Sequence, residues 1–398
     1  MSAWLARRAY TLGSPGRSSG VVMRMARGSW PAAMSPGKGT SGRTATRGRA
    51  RLRREDDMTW LLTGGAGYIG SHIVRAFQAA GTPVVVLDDL STGFRPFVPP
   101  EVPFIEGSVT DPAAVRAALD HGVTGVVHLA GLKYAGVSVQ EPLLFYRQNV
   151  TGMQVLLEAV VERRIGRVVF SSSSSWYGTP DAELVGEDTP PRPESPYGQS
   201  KVISEWLLRD VAAVTPGLAH TSLRYFNVVG SGPPELADHS PHNLFPKVMR
   251  ALSAGEAPVV FGTDYPTPDG TCVRDYIHVV DLADAHVEAA RRLDAGLPTG
   301  PAYNVGRGEG SSVMQVLDAI ARVTGIPFTP ELRPRRPGDP ARIVGAVDRI
   351  AADFRWTARY DLDDMIQSAW DAWRHQIELH GGPPADGARL PMSRVAAP

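Results

Sequence analysis

Between residues 63 and 70 the chain reads Thr-Gly-Gly-Ala-Gly-Tyr-Ile-Gly, directly after the apolar run Trp60-Leu61-Leu62. The glycines Gly64, Gly67 and Gly70 follow a G-x-x-G-x-x-G spacing, and helical patterning continues from Tyr68 to about Ala80. A strand, a glycine turn and a helix in that order leave few folds open. Glycine lets the backbone turn sharply and approach a pyrophosphate, while the helix N-terminus faces the anion. A second apolar run, Val84-Val85-Val86-Leu87, ends on Asp88, eighteen residues past Gly70. A carboxylate there accepts both ribose hydroxyls of NAD and repels the 2′-phosphate of NADP, so NAD is the expected cofactor. A glycine-rich turn beside a surface aspartate is the plainer alternative.

The pattern then alternates. Further strands are read at 104–105, 126–129, 168–170 and 221–223, with helices near 112–120, 142–163 and 198–214. Buried parallel strands are continuously apolar, as these are, so the expected class is α/β with a doubly wound parallel sheet of Rossmann type. After Asn227 proline becomes more frequent. Helices near 244–254, 281–294 and 312–323 and strands at 258–261 and 302–305 read as a smaller α/β lobe. The expected division is an NAD-binding domain over 58–228, a substrate lobe over 229–380 and a flexible tail over 381–398. A chain of 398 residues, 43% of them hydrophobic, is long enough for both lobes.

Residues 1–57 stand apart. They hold twelve Lys/Arg and three Asp/Glu, which leaves the remainder net acidic although the whole chain is formally neutral. Their Gly, Pro, Ser, Ala and Arg composition lacks hydrophobic periodicity, so they are expected to be disordered. They read as a transit peptide, as a nucleic-acid-binding tail, or as the product of a start placed too early. The third reading is preferred, because the first strand begins at Met58. In addition, codons for Arg54-Glu55-Asp56 can spell a purine-rich ribosome-binding sequence. On that reading a chain beginning at Met58 keeps full stability and activity.

An acidic body gives no reason to expect a nucleic-acid partner. No apolar run reaches the roughly 20 residues of a membrane span. The single cysteine, Cys272, excludes an internal disulfide and fits a reducing cytoplasm. No metal is expected. The closest histidines, His239 and His242, read as part of a solvated loop.

Tyr197-Gly198-Gln199-Ser200-Lys201 puts a phenol and an ammonium four residues apart, on one helix face. The ammonium, together with the cationic nicotinamide of NAD, favours the phenolate. Tyr197 is therefore a candidate base for a sugar hydroxyl. The serines 171–175 follow the strand Val168-Val169-Phe170, at the edge where such sheets bind ligands. One of their hydroxyls can bond the reacting oxygen. The pattern does not select which, and a merely polar loop is the alternative.

Several longer segments carry a resemblance. They are TGGAGYIGSH (63–72), AGLKYAGVSVQEP (130–142), SSSSSWYG (171–178), SPYGQSK (195–201), LRYFNVVG (223–230), DYPTPDGTCVRDYIHVVDLADAH (264–286) and RRPGDPAR (335–342). From Met58 to about Trp370 the chain resembles the UDP-glucose 4-epimerases of the extended short-chain dehydrogenase/reductase family. The glycine motif and the Tyr/Lys pair belong to the whole family. The AGLK segment and the 264–286 run are more specific.

The resemblance implies Ser173, Tyr197 and Lys201 as catalytic residues. It implies Gly64, Gly67, Tyr68, Ile69, Gly70, Asp88, Asp89, Ser108, Val109, Leu129, Ala130, Lys133, Lys201 and Phe226 as cofactor contacts. For a UDP-sugar it implies Ser173, Tyr197, Asn227, Asn243, Leu244, Phe261, Arg274, Arg336 and Asp339. Arg274 and Arg336 suit the diphosphate, because guanidinium forks match phosphate oxygens. Asp339 suits the uridine ribose. Ser108 stands where the family often has an Asp, and Gln148 where a cofactor-facing Asn is common. Ser174 and Ser175 replace less polar residues.

The implied activity interconverts UDP-glucose and UDP-galactose through a transient 4-keto sugar, with NAD retained and a homodimer as the assembly. Ile343 falls where the family lines the sugar pocket near C2. Ile is smaller than the Tyr that closes that wall, so activity on UDP-N-acetylglucosamine is also expected. A nucleotide-sugar 4,6-dehydratase or decarboxylase is one alternative. Dehydratases place an Asp-Glu pair where Ser174-Ser175-Trp176 stands here. A catalytically idle NAD-sensing regulator is the other, and intact Ser173, Tyr197 and Lys201 argue against it.

Overall fold

The computed structural model describes residues 58–380 apart from 337 and 338. The expectations for residues 1–57 and 381–398 lie outside the described residues. Six strands build most of the main sheet: β1 (Thr59–Thr63), β2 (Val84–Asp88), β3 (Phe104–Glu106), β4 (Val123–His128), β5 (Arg167–Ser171) and β6 (Ala219–Tyr225). Their companions are α1 (Tyr68–Ala79), α2 (Pro112–Leu119), α3 (Ala135–Gln140), α4 (Pro142–Phe145), α5 (Gly152–Glu162) and α6 (Pro196–Val214). The remaining strands are β7 (Asn227–Val229), β8 (Val259–Phe261), β9 (Val273–His278), β10 (Ala302–Val305), β11 (Gly310–Ser312), β12 (Glu331–Arg333) and β13 (Arg342–Ile343). The remaining helices are α7 (Leu244–Ser253), α8 (Val279–Asp294), α9 (Val313–Thr324), α10 (Asp348–Phe354) and α11 (Leu362–His380).

The main sheet has seven strands in the order β10-β6-β5-β4-β1-β2-β3, all parallel. Every residue of β2 and β4 is buried, as expected where helices cover both faces. One face packs against α1 and α8 through Ile73, Phe77, Leu282 and Leu293. The other packs against α2, α5 and α6 through Val115, Leu156, Val160 and Leu208. The strand order reverses between β1 and β4, which opens a crevice beyond their carboxyl ends. A third core, with Phe245, Met249, Ile320, Ile366 and Trp373, sits among α7, α9 and α11. A small sheet, β11-β9-β13 with β7 on β9, joins that lobe to the main sheet.

Three features differ from the sequence reading. Strand 302–305, expected in the smaller lobe, is the seventh strand of the main sheet, with Ala302 opposite Ser222 and Val305 opposite Tyr225. Helix 281–294, also expected there, belongs with α1 on the main sheet. The helix expected over 142–163 is three pieces: α4, a π-turn at Tyr146–Thr151, and α5. π-turns insert an extra residue and are common at functional sites. Here the turn buries Asn149, whose amide bonds the Leu132 backbone at 2.8 and 3.0 Å and Ser200 Oγ at 2.8 Å.

Candidate active site

Two cavities meet beyond the carboxyl edge of the sheet. The first is lined by the β1–α1 turn, with Gly64, Gly67, Tyr68, Ile69 and Gly70, and by Asp88, Asp89, Val109, Leu129, Ala130, Lys133, Gln148 and Lys201. Gly64 has φ +75°, and a Cβ there would stand 2.8 Å from the Ala130 nitrogen. A Cβ on Gly70 would stand 2.1 Å from the Gly64 oxygen. No side chain fits at either position, so the backbone and the start of α1 stay open to a ligand. This cradle fits the pyrophosphate of a dinucleotide.

Asp88 sits at the tip of β2. Its Oδ2 accepts from Ala66 N and its Oδ1 from Leu90 N, both at 2.9 Å. Burial raises its pKa, and the two amides partly offset that. Each anchored oxygen keeps a lone pair for a ribose hydroxyl. Ser108 and Phe226 are the exceptions among the expected cofactor contacts. The Ser108 hydroxyl pairs with Thr110 Oγ1 at 3.0 Å and accepts from Thr110 N, and Ser108 does not line the cavity. Gly107 and Val109 line it instead. Phe226 lines the second cavity rather than the first.

The second cavity, of about 630 Å³, falls within the range of small-molecule sites. Ser173, Tyr197, Phe226, Asn227, Asn243 and Leu244 line it. Phe261, Arg274, Arg336 and Asp339 also line it. The Arg336 guanidinium lies 4.0 Å over the Phe261 ring. Arg274 sits 4.0 Å from Asp339 and donates to Val273 O. Asn243 Nδ2 donates to Asp238 Oδ2 at 2.7 Å.

Tyr197 borders both cavities. Burial pushes its phenol pKa up, and a hydrogen bond with Ser173 pulls it back in part. Lys201 Nζ donates to Ser171 O at 2.9 Å and lies 6.0 Å from the Tyr197 ring centre. Burial pushes Lys201 down to about 8, opposed by Glu205. Within this chain, then, burial favours the protonated phenol.

The five serines separate by position. Ser171 Oγ bonds His286 Nε2 at 2.7 Å and Ser172 Oγ donates to Glu205 at 2.5 Å, both turned into the core. Ser173, Ser174 and Ser175 line the cavity. Ser173 also accepts from Ser175 N at 3.1 Å, which caps the short turn Ser174–Trp176. This geometry singles out Ser173 as the hydroxyl beside Tyr197.

Ile343 does not line the cavity. It is buried with Trp176, Tyr177, Val185, Val202 and Phe226, because β13 pairs with β9 and turns it inward. His239 is not solvated loop either. Its ring packs against Phe94 and Phe97 at 4.9 and 5.7 Å, while His242 meets Tyr134 edge-on at 4.4 Å. Tyr225 was missed by the sequence reading. It lines both cavities from the end of β6, and its place at a strand's carboxyl end was the available signal.

The NAD dependent epimerase/dehydratase family matches residues 60–306. The UDP-glucose 4-epimerase of Azospirillum brasilense is 42% identical over 328 residues, covering 81% of this chain and 93% of that protein. The crystal structure of UDP-glucose 4-epimerase from Brucella ovis in complex with NAD matches with TM-score 0.75 and 39% identity. That match covers 78% of this chain and 97% of that one. The Bifidobacterium longum enzyme, solved in complex with NAD+ and UDP, matches with TM-score 0.74 and 35% identity, over 80% and 98% of the two chains. On these grounds the chain belongs to the NAD dependent epimerase/dehydratase family, and within it to the UDP-glucose 4-epimerases.

Proposed function

We propose that this protein inverts C4 of UDP-glucose and UDP-galactose. One observation carries the reading: Ser173, Tyr197 and Lys201 stand where a dinucleotide cradle meets a cavity bearing Arg274 and Arg336. When bound, NAD supplies the acceptor for the C4 hydride and the charge that favours a phenolate at Tyr197. Tyr197 takes the C4 hydroxyl proton and later returns it. Ser173 bonds the same oxygen and Lys201 keeps the phenol oriented. Arg274, Arg336 and Asp339 hold the nucleotide, so binding energy remote from C4 retains the sugar while it turns.

The Ser174–Trp176 turn holds no Asp-Glu pair, which disfavours dehydration. The decisive test is purified protein given UDP-galactose or UDP-N-acetylgalactosamine without added NAD, scored for C4 inversion. Net oxidation or dehydration in place of inversion overturns the reading. The second sugar asks whether N-acetylated substrates are accepted, a breadth that Ile343, buried away from the cavity, does not argue for.

A homodimer is proposed from the exposed apolar side chains of neighbouring helices, Val139 on α3, Leu143 on α4 and Trp206 on α6. Cytoplasmic residence is proposed from the single reduced cysteine, Cys272. No helix among the described residues is long and apolar enough to cross a membrane.

A further inference from the structure

Glu205 lies on α6 one turn beyond Lys201 and two beyond Tyr197, with its carboxylate enclosed. It accepts from Ser172 Oγ at 2.5 Å and from Arg224 Nε and Nη2 at 3.0 and 2.7 Å. The guanidinium stacks 3.6 Å from the Trp176 ring and donates to the Tyr177 hydroxyl at 3.2 Å and to Glu187 O at 2.9 Å. Tyr177 in turn donates to Asn304 Oδ1 at 2.6 Å, on β10. The result is a closed polar network through the core, joining β5, α6, β6 and β10.

Stability alone explains such a pair poorly. Taking two charges out of water offsets most of their attraction, and packed apolar residues serve a core as well. What the network does instead is set geometry. The Ser172 amide donates to Leu223 O at 2.8 Å, and its hydroxyl is held by Glu205. The amide N–H and the hydroxyl of the residue preceding Ser173 are therefore fixed, the first to β6 and the second to the helix that carries the phenol.

We propose that Glu205 is a positioning residue for catalysis, tying the serine loop to the helix that carries Tyr197 and Lys201. The proposal rests on the epimerase reading. Ser173 and Tyr197 must reach one sugar oxygen together, and misplacement by about 1 Å at such a site costs about a hundredfold in rate. The carboxylate acts on Lys201 too, because it is the charge that opposes the desolvation of that ammonium. The other titratable groups facing this pair are His128 from β4, Tyr197 on α6 itself, Arg224 and Tyr225 from β6, and Tyr177. His128 is held neutral by burial, at about 3. With Glu205 neutralised, the Lys201 ammonium loses the charge that opposes its desolvation, so its proton is lost at lower pH.

The test compares Ser172→Ala and Glu205→Gln with the wild type, each with its cofactor, in C4 inversion of UDP-galactose. Ser172→Ala should lower kcat by about tenfold, a displacement of Ser173 smaller than the roughly 1 Å that costs a hundredfold, with KM and UDP affinity within about twofold, and should lower Tm by a few degrees through the hydrogen bond lost to a buried charge. Glu205→Gln should move the alkaline limb of kcat about one unit towards acid. A purely structural role would also lower Tm in both variants, but would leave kcat of the folded Ser172→Ala and the alkaline limb of Glu205→Gln where they were. Wild-type kcat in a folded Ser172→Ala, or an unmoved limb in Glu205→Gln, overturns the proposal. If Glu205→Gln does not fold, Ser172→Ala decides alone. A wild type without turnover overturns the epimerase reading and this proposal with it, whereas turnover that Ser172→Ala retains overturns this proposal only.

Discussion

In the proposed mechanism the chemistry turns on the phenol of Tyr197. Burial raises its pKa, so a positive charge beside it, from Lys201 or a bound cofactor, favours its action as a base. Tyr197→Phe keeps the ring and its packing while removing the proton acceptor. Turnover should fall by about 10²–10⁴-fold while the cofactor stays with the purified protein, read from its extracted nucleotide. Near-normal turnover would remove Tyr197 from the mechanism. Asp88 belongs to the same scale. Its carboxylate is fixed by two amides at the edge of the cofactor cavity, and a phosphate facing it would be repelled. Nucleotide extracted from the protein should be NAD, and a preponderance of NADP would contradict the role of Asp88.

At the scale of elements, short strands decide what long motifs do not. β13 is two residues long, yet its pairing with β9 takes Ile343 out of the cavity and into a cluster with Tyr177 and Phe226. Ile343→Tyr should therefore overpack that cluster. It is expected to cost about 1–3 kcal/mol, seen as a lower Tm, and to depress activity on all sugars alike. A selective loss of N-acetyl activity at unchanged Tm would put Ile343 at the sugar after all. The π-turn is a second case. It gives Asn149 to the loop at Leu132 and leaves Gln148 on the cofactor cavity.

Across the whole molecule, burial controls the response to acid. His72, His278 and His286 are pushed down to about 4 and His128 to about 3, in each case mainly by desolvation. In the unfolded chain each titrates near 6.5. Below that pH the unfolded state binds protons that the folded state refuses, so stability falls as pH drops from about 6.5 towards 4. Asp275, raised to about 6 by burial, acts oppositely over 6 to 4, as do Asp88, Asp284 and Asp294, which burial also raises, but the four large histidine shifts outnumber this one large carboxylate shift. Tm should decline steadily across this window, and a flat profile would show that these rings are charged in the fold. Assembly is tested at the same scale. Leu143, 78% exposed on α4, should tolerate Glu as a monomer, so Leu143→Glu should halve the mass measured by light scattering if this face joins two copies.

The sequence by itself determined the parallel α/β sheet, the glycine cradle, Asp88 and the Tyr197/Lys201 pair. All of these are local: a period, a turn, a spacing of four on one helix. It also carried Arg274, Arg336 and Asp339, through segments long enough to resemble a family. Tertiary structure decided the rest. Only the fold shows that Ser171 and Ser172 are held by His286 and Glu205 on opposite faces of the sheet while Ser173, beyond the end of β5, lines the cavity. Only sheet order assigns 302–305 to the main sheet, since hydrogen-bond partners far apart in sequence leave no periodic trace. Glu205 and Arg224 read as ordinary charged residues on a helix and a strand until the fold buries them against each other beneath the serine loop.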